Sequence, residues 1–324
     1  MTKLRVAVSQ SRTVPFDAAK ATKIVLEQMR KIAAMGAELA VFPEAFIGGY
    51  PKGLDFGASI GSRTPAGRED FRRYQAGAIR VPGAETDEMC AACGELGLYV
   101  VVGVIERDGG TIYCTSIYCG PEGLLGKHRK VMPTASERLV WGFGDGSTLT
   151  AVDMPFGRVG GAICWENYMP MLRMAMYAKG VEIWCAPTAD DRETWEATMR
   201  HVACEGRCFV LSACQVMERG DCPQEYDCRI DTTDNRPLMR GRSMIVDPLG
   251  KVLAGPLLDE EGILTADIDL DDIPRAKMDF DPVGHYARPD LFRLIVDERQ
   301  KQAVQVVNEI LEVRGGSDEH RVCG

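Results

Sequence analysis

The sequence predicts a mixed α/β fold in which helices cover mixed β-sheets. Short apolar runs rich in β-branched residues alternate with amphipathic stretches of helical spacing, and several runs are joined by Pro- and Gly-containing turns typical of hairpins. At 324 residues the chain can bury a large core. We expect one domain over residues 1–285 and a C-terminal arm over 286–324, polar and mobile after Gly315.

The predicted strands are short and apolar. The run at 99–106, for example, is rich in valine and too short for an independent helix. Turns at 121–123 and 248–250 predict two hairpins. The predicted strands and hairpins occupy residues 4–10, 38–44, 99–106, 111–120, 123–129, 150–164, 181–187, 208–215, 243–256 and 262–270.

Helices are predicted where apolar residues recur every three to four positions. The first, over 16–36, ends at Gly36, a typical C-cap residue. The last covers residues 290–313, and its apolar side would carry Val304, Val307, Ile310 and Leu311. Further helices are predicted at 84–97, 166–179 and 190–207, and a long polar loop at 216–240.

The composition argues against several classes of function. A net charge of −9 and a pI near 5.2 would repel a phosphate backbone, so nucleic acid is not an expected partner. No run of eighteen apolar residues is present, so no membrane span is expected. The N-terminus MTKLRVAVSQ lacks the apolar stretch and cleavage site of a signal peptide, and we expect a cytoplasmic protein.

Twelve cysteines are present, most of them in apolar runs where a free thiol packs as a small hydrophobe. Two pairs have short spacings, Cys90 with Cys93 and Cys204 with Cys208. A structural metal needs four converging ligands, and no second cluster of His or Cys matches either pair. The sequence therefore predicts no metal site.

The segment GGAICWENYMP is the most informative part of the chain. A strand of small and apolar residues leads to Cys164, and the next three residues open a predicted helix. Such a junction exposes a side chain at the sheet edge, where backbone N–H groups at the helix start favour negative charge. We therefore expect Cys164 to have a lowered pKa and to act as a nucleophile, the alternative being a packed core cysteine.

Two further segments place charged residues beside apolar ones. Glu44 follows a predicted buried strand, and a carboxylate in apolar surroundings has a raised pKa unless it is paired, which suits a general base. Lys130 follows another strand, where it could hold a thiolate ionised or neutralise charge on a substrate. Glu137 could pair with Lys130 or with Arg138. Taken singly, each also fits a solvated surface side chain.

Together these segments resemble the three catalytic signatures of the nitrilase superfamily of carbon–nitrogen hydrolases. The matching segments, in this order, are FPEAF, HRK-x-MPT and CWEN. The chain also looks like the true nitrilase branch in FIGGYPKG (46–53), ERLVWGFGDG (137–146), EGRCFVLSA (205–213), DPLGKVLAGP (247–256) and GHYARPDLF (284–292). The resemblance covers most of the chain.

The resemblance implies a role for four residues. Cys164 would be the nucleophile, Glu44 the general base and Lys130 the electrostatic stabiliser. Glu137 would orient Lys130. It also implies a four-layer αββα sandwich, two mixed sheets between helix layers, that works without metal or cofactor. Superfamily members pair into dimers that can extend into spirals, so we expect a homodimer or larger homo-oligomer with contacts from the arm.

The resemblance to nitrilases implies that the chain hydrolyses an organic nitrile to a carboxylic acid and ammonia. An amidase or carbamoylase of the same superfamily, a nitrilase specific for cyano-amino acids, and a non-catalytic redox or assembly protein are the alternatives. Trp165, Tyr50 and Tyr168 are candidates for substrate binding, although each could be a packing residue. Arg242 departs from the family pattern, because nitrilases commonly carry a small residue there, and it needs a partner if that position is packed.

Overall fold

The computed structural model describes residues 3–230 and 237–304. Its strands are β1 (Lys3–Gln10), β2 (Leu39–Val41), β3 (Ala58–Ser59), β4 (Ser62–Arg63), β5 (Tyr99–Asp108), β6 (Thr111–Gly120), β7 (Gly123–Arg129), β8 (Ala151–Met154), β9 (Gly157–Gly161), β10 (Ile183–Thr188), β11 (Phe209–Cys214), β12 (Val216–Met217), β13 (Met239–Val246), β14 (Val252–Leu258) and β15 (Gly262–Asp269). Its α-helices are α1 (Ala18–Ala34), α2 (Pro65–Ala76), α3 (Ala84–Leu96), α4 (Pro170–Ala178), α5 (Glu193–Gly206) and α6 (Asp272–Lys277). None of these helices could cross a membrane.

The strands form two large mixed sheets and a small hairpin of β3 with β4. The first sheet has six strands in the order β15-β1-β2-β5-β6-β7. The second has seven, ordered β12-β13-β11-β10-β9-β8, with β14 paired to β13. In each sheet the central strands run parallel and the outer ones antiparallel. Parallel neighbours need a long crossover connection such as a helix, whereas antiparallel neighbours can be joined by a hairpin.

Alternating side chains divide each sheet between two apolar cores. On β1, Val6 and Val8 pack against the second sheet, whereas Ala7 faces the side covered by α1 and α3. The outer face of the second sheet packs against α4 and α5 through residues such as Trp184 and Trp195. The order of layers is therefore helix, sheet, sheet, helix. The expected four-layer αββα sandwich is confirmed.

Most predicted elements are present, but one helix begins later than predicted. The hairpins β6–β7 and β13–β14 are confirmed. Instead of a single helix over 166–179, the chain forms a 3₁₀-helix over Cys164–Tyr168 and begins α4 at Pro170. Proline disfavours helical backbone in the residue before it, and Met169 is accordingly extended, with ψ of 103°.

The predicted C-terminal helix over 290–313 is wrong for the part that the structure describes. Residues 290–304 contain no helix, while Val307, Ile310, Leu311 and the segment after Gly315 lie outside the described ranges. The arm is tied to the body by polar contacts instead, since Glu298 pairs with Lys179 at 2.6 Å. Many of its apolar side chains are exposed in the single chain, so helical spacing alone does not specify a helix there. The boundary at residue 285 stays a prediction.

A glycine in the first sheet lets the strand ends approach each other closely. A Cβ at Gly103 would lie 2.2 Å from the Pro43 carbonyl oxygen and 2.7 Å from Glu44 Cα. We expect Gly103→Ala to lower the free energy of unfolding by ~1–3 kcal/mol, because backbone must move. Gly94→Ala, where a Cβ meets nothing within 4 Å, is the control. Urea unfolding measures both, and equal stability of the two variants would contradict the prediction.

Candidate active site

The first element of the site is the sharp turn at Cys164. This residue begins the 3₁₀-helix that follows β9, and its φ of 51° is uncommon for a non-glycine residue. The turn also needs glycine before it, because a Cβ at Gly161 would lie 1.9 Å from the carbonyl oxygen of Cys185. Backbone strain of this kind costs ~1–3 kcal/mol and clusters at functional sites. The Thr188 hydroxyl lies 3.2 Å from the Cys164 Sγ.

Glu44 lies just beyond β2 and is fully buried. Its Oε1 accepts a hydrogen bond from Lys130 Nζ at 2.6 Å and lies 3.5 Å from the Cys114 Sγ. Its Oε2 is buried without a hydrogen-bond partner among the described residues. The backbone is held as well, since Gln215 Nε2 donates to the Glu44 carbonyl at 3.1 Å. One carboxylate oxygen is therefore available to accept a proton.

Lys130 directly follows β7 and is also fully buried. Its Nζ donates to Glu44 at 2.6 Å and to Glu137 Oε2 at 2.8 Å. An ammonium group has three N–H bonds, so one remains for a ligand. The hydrogen bonds to the two carboxylates fix the direction of the remaining N–H bond. The negative charges of the carboxylates also favour the charged form of the buried lysine.

Glu137 lies in a 3₁₀-helix over Ala135–Leu139 and pairs with Lys130, whereas Arg138 donates to the Pro133 carbonyl. Its Oε2 also accepts the backbone N–H of Thr134 at 2.6 Å. Its Oε1 accepts the Tyr50 hydroxyl at 2.7 Å. These bonds fix the carboxylate, which in turn fixes Lys130.

The electrostatic balance of the site differs from the sequence-based expectation. Burial raises the pKa of the Cys164 thiol, and the neighbouring Glu44 carboxylate raises it further, against the opposing effect of Lys130. The expected lowering of the Cys164 pKa is therefore wrong. Burial also raises the pKa of Glu44, although Lys130 opposes it. Burial on its own lowers the pKa of Lys130, but the nearby acidic groups, Glu44 foremost and then Cys164 and Glu137, together raise that pKa above its ordinary value. The resting site holds a thiol beside a carboxylate and an ammonium group.

Comparison with known proteins identifies the family. Residues 5–278 match the sequence profile of the carbon–nitrogen hydrolases. The chain belongs to the carbon–nitrogen hydrolase family. An aliphatic nitrilase of Sinorhizobium fredii is 60% identical over 94% of this chain and 99% of its own length. A bifunctional nitrilase/nitrile hydratase of Lupinus angustifolius is 51% identical over 93% and 88%, respectively. These identities place the chain in the nitrilase branch.

Solved structures support the fold of this carbon–nitrogen hydrolase. A superfamily member from Xanthomonas campestris matches 87% of this chain and 97% of its own, with a TM-score of 0.68 and 17% identity. At that identity the likeness concerns the fold alone. It agrees with the two sheets between helix layers described above.

In this carbon–nitrogen hydrolase, a cavity of 210 Å³ lies against Cys164. Tyr50 and Trp165, both candidates from the sequence, line it. Tyr168 does not, because its ring packs edge-on against Trp165, with ring centroids 5.7 Å apart. The cavity is also lined by Lys52, Thr134, Glu137, Ala189, Asp190, Asp191 and Arg192. Trp184 and Trp195 are fully buried in the core.

Sequence reasoning missed the charged residues that follow β10. Asp190 accepts a hydrogen bond from Trp165 Nε1 at 2.8 Å and pairs with Arg192, whose guanidinium lies 4.7 Å from the centre of the Trp165 ring. A signal was present, because β9 and β10 are parallel neighbours and their carboxyl ends meet at one edge of the sheet. The polar run after β10 therefore had to lie beside Cys164.

Arg242 has the partner that its position requires. Its φ of 82° lies in the left-handed region, which glycine adopts more readily than a residue with a Cβ. Its Nε donates to the Asp191 carbonyl at 2.9 Å, and its guanidinium lies 3.8 Å from Glu196. Arg242 thus supports the loop that lines the cavity.

The hydrogen bond from the Tyr50 hydroxyl to Glu137 allows a test of whether Glu137 must be fixed in position for activity. We expect Tyr50→Phe to lower kcat/KM about tenfold, because the mutation removes one hydrogen bond to a charged group. Tyr168→Phe is the matched control, since its hydroxyl makes no hydrogen bond within the described ranges. Steady-state kinetics of both variants decide the matter. Equal values for the two would show that the contact of Tyr50 with Glu137 is dispensable.

Proposed function

We propose that this chain hydrolyses a small organic nitrile to the carboxylic acid and ammonia, with Cys164 as nucleophile. One observation carries the proposal: Cys164, Glu44 and Lys130 come from segments far apart in sequence and meet in a buried site beside a cavity. The nitrilases at 51–60% identity add weight to a nitrile substrate.

The first step is attack of the Cys164 sulfur on the nitrile carbon. Because the resting thiol is protonated, its proton passes to Glu44, whose Oε2 is free to accept it. Negative charge then develops on the nitrile nitrogen. The remaining N–H of Lys130 stabilises that charge, and the proton held by Glu44 completes a neutral thioimidate.

The later steps use the same two groups. Glu44 removes a proton from water, which adds to the thioimidate carbon. Glu44 returns this proton to the nitrogen and then transfers the proton of the new hydroxyl group to it, so that ammonia leaves and a thioester on Cys164 remains. A second water, activated in the same way, releases the carboxylic acid and restores the thiol. The sum is one nitrile and two waters converted to one acid and one ammonia.

The cavity favours a small substrate. Its 210 Å³ would hold a short nitrile beside Trp165 and Tyr50. The experiment is a panel of aliphatic, aromatic and cyano-amino-acid nitriles with their matched amides, scored for ammonia, amide and acid. We expect nitriles to be turned over and small aliphatic ones to be preferred. Turnover of amides without nitriles would replace the nitrilase proposal by an amidase.

We also propose that the chain assembles into a homo-oligomer through its arm. Several large apolar side chains there are more than half exposed in the single chain, among them Phe292 and Ile295. Phe292 and Ile295 line a groove together with Met174 of α4, and Met171 of the same helix is also exposed. Light scattering should therefore report at least a dimer, and Phe292→Asp with Ile295→Asp should dissociate it. A monomeric wild-type protein would refute this.

A further inference from the structure

We propose that His128 and Glu166 form a buried charged clamp that holds the Lys130 segment and the Cys164 segment in register for reaction. Both are positioning residues, because neither lines the cavity. The inference rests on the proposed function only for its kinetic readout.

The Glu166 carboxylate joins the two segments directly. Its Oε1 accepts the backbone N–H of Val131 at 2.6 Å, one residue after Lys130. Its Oε2 accepts the backbone N–H of Ile163 at 2.8 Å, one residue before Cys164. Glu166 is 1% exposed, so water cannot substitute for these bonds. Any shift of this carboxylate moves the lysine relative to the thiol.

His128 supplies the opposite charge. Its Nε2 lies 2.9 Å from Glu166 Oε2, and its Nδ1 lies 2.8 Å from the carbonyl oxygen of Thr148. Because both ring nitrogens face acceptors, the doubly protonated imidazolium satisfies both contacts. Burial opposes this charge, but the contacts with Glu166 and with the Thr148 carbonyl together outweigh burial and raise the His128 pKa. The carboxylate is therefore held by three donors: two backbone N–H groups and a cation.

A second buried carboxylate, Glu106 of β5, is bound by the two residues that flank His128 and provides a matched control. Glu106 is equally buried and accepts hydrogen bonds from Lys127 at 2.5 Å and from Arg129 at 2.6 Å. Lys127 and Arg129 flank His128 on β7 and lie on its opposite face. Glu106 is bound to the Lys130 segment only through the side chains of Lys127 and Arg129, and within the described ranges it makes no hydrogen bond to the Cys164 segment. Its loss therefore leaves the two segments joined by Glu166 and should affect mainly stability.

The test compares Glu166→Gln with Glu106→Gln. A carboxamide has one acceptor atom, so it leaves at least one of the three donors of the clamp facing an NH₂ group. We expect Glu166→Gln to lower kcat about 10²-fold with KM within about threefold, since a displacement near 1 Å can cost that much. Glu106→Gln should keep kcat within about threefold, even where both variants lose thermal stability.

A second readout does not need nitrile turnover. The rate at which iodoacetamide alkylates Cys164, mapped by peptide mass spectrometry, should fall at least about fivefold in Glu166→Gln and hold in Glu106→Gln. If the wild type hydrolyses no nitrile, the proposed function fails and this rate alone decides the clamp. Should Glu166→Gln not fold, His128→Gln, which keeps a donor but no charge, is judged by the same criteria. Unchanged kcat and alkylation, or equal losses in Glu106→Gln, would overturn the clamp.

Discussion

Replacing Cys164 by alanine should reduce nitrile hydrolysis to background while leaving the fold intact. Among the described residues, Cys164 is the cysteine that lines the cavity, where the turn with a φ of 51° places it, so no other described thiol is positioned to replace it. The structural loss is small: one weak contact with the Thr188 hydroxyl at 3.2 Å. Ammonia release and thermal unfolding of the purified variant measure the two effects.

Cys185→Ala is the matched control for that experiment. Cys185 is as deeply buried, and its Sγ makes no hydrogen bond within the described ranges. It should keep nearly full activity. Cys114 is unsuitable as a control because its Sγ lies 3.5 Å from Glu44. If Cys164→Ala retains more than about 1% of wild-type turnover, the assignment of the nucleophile is wrong.

Replacing Lys130 by methionine should damage both activity and stability. The ammonium group is the charge that would stabilise the developing anion, and donors of this kind contribute ~10²–10³ each to kcat. It is also the cation between two buried carboxylates, Glu44 and Glu137. Removing one partner of a buried ion pair costs ~3–5 kcal/mol. Steady-state kinetics and urea unfolding report the two losses.

The stability loss of Lys130→Met should grow as the pH rises. Burial holds the Glu44 pKa above its ordinary value in the folded chain. A group with a raised folded pKa stabilises the fold below its unfolded pKa and ceases to do so as the pH passes its folded pKa. Without the lysine, Glu44 loses the cation that opposes this rise, so keeping its carboxyl ionised in the folded chain at neutral pH costs more free energy. The variant should therefore be closer to wild type near about pH 5 than near about pH 8.

Lys127→Met controls for the loss of a lysine close to Lys130 in the chain, on the strand that Lys130 follows. Its partner Glu106 still pairs with Arg129 at 2.6 Å, so no buried carboxylate is left without a cation. Activity should be retained. A Lys130→Met variant that keeps kcat within about tenfold of wild type would remove Lys130 from its assigned role.

The sequence predicted the position of the site because motif order and strand ends carry that information. Glu44, Lys130 and Cys164 each follow a strand, as the short apolar runs before them predicted. The four-layer arrangement itself came from the resemblance, since local periodicity does not say which sheet packs against which.

The protonation state of Cys164 could not be predicted in the same way. The expected lowering rested on backbone N–H groups at the start of a helix, which is a local effect. Burial and the Glu44 carboxylate act against it, and both depend on the tertiary structure. The double hydrogen bonding of Glu166 was hidden for the same reason, because Val131 lies 35 positions away in the chain.

The C-terminal arm shows the opposite failure. Apolar residues at helical spacing predicted a helix over 290–313, yet residues 290–304 contain no helical structure. Helical spacing specifies a helix only when one face is buried along its length. Here many of the apolar side chains are exposed in the single chain, so no buried face is present to stabilise a helix.

The most direct test of the account is acid quenching during steady-state nitrile turnover, followed by intact and peptide mass spectrometry. We expect a covalent adduct, with the mass of the thioimidate or thioester, on the peptide that contains Cys164. The adduct should be absent from Cys164→Ala and present in Cys185→Ala. An adduct that maps to any other residue, or that persists in Cys164→Ala, would contradict nucleophilic attack by Cys164.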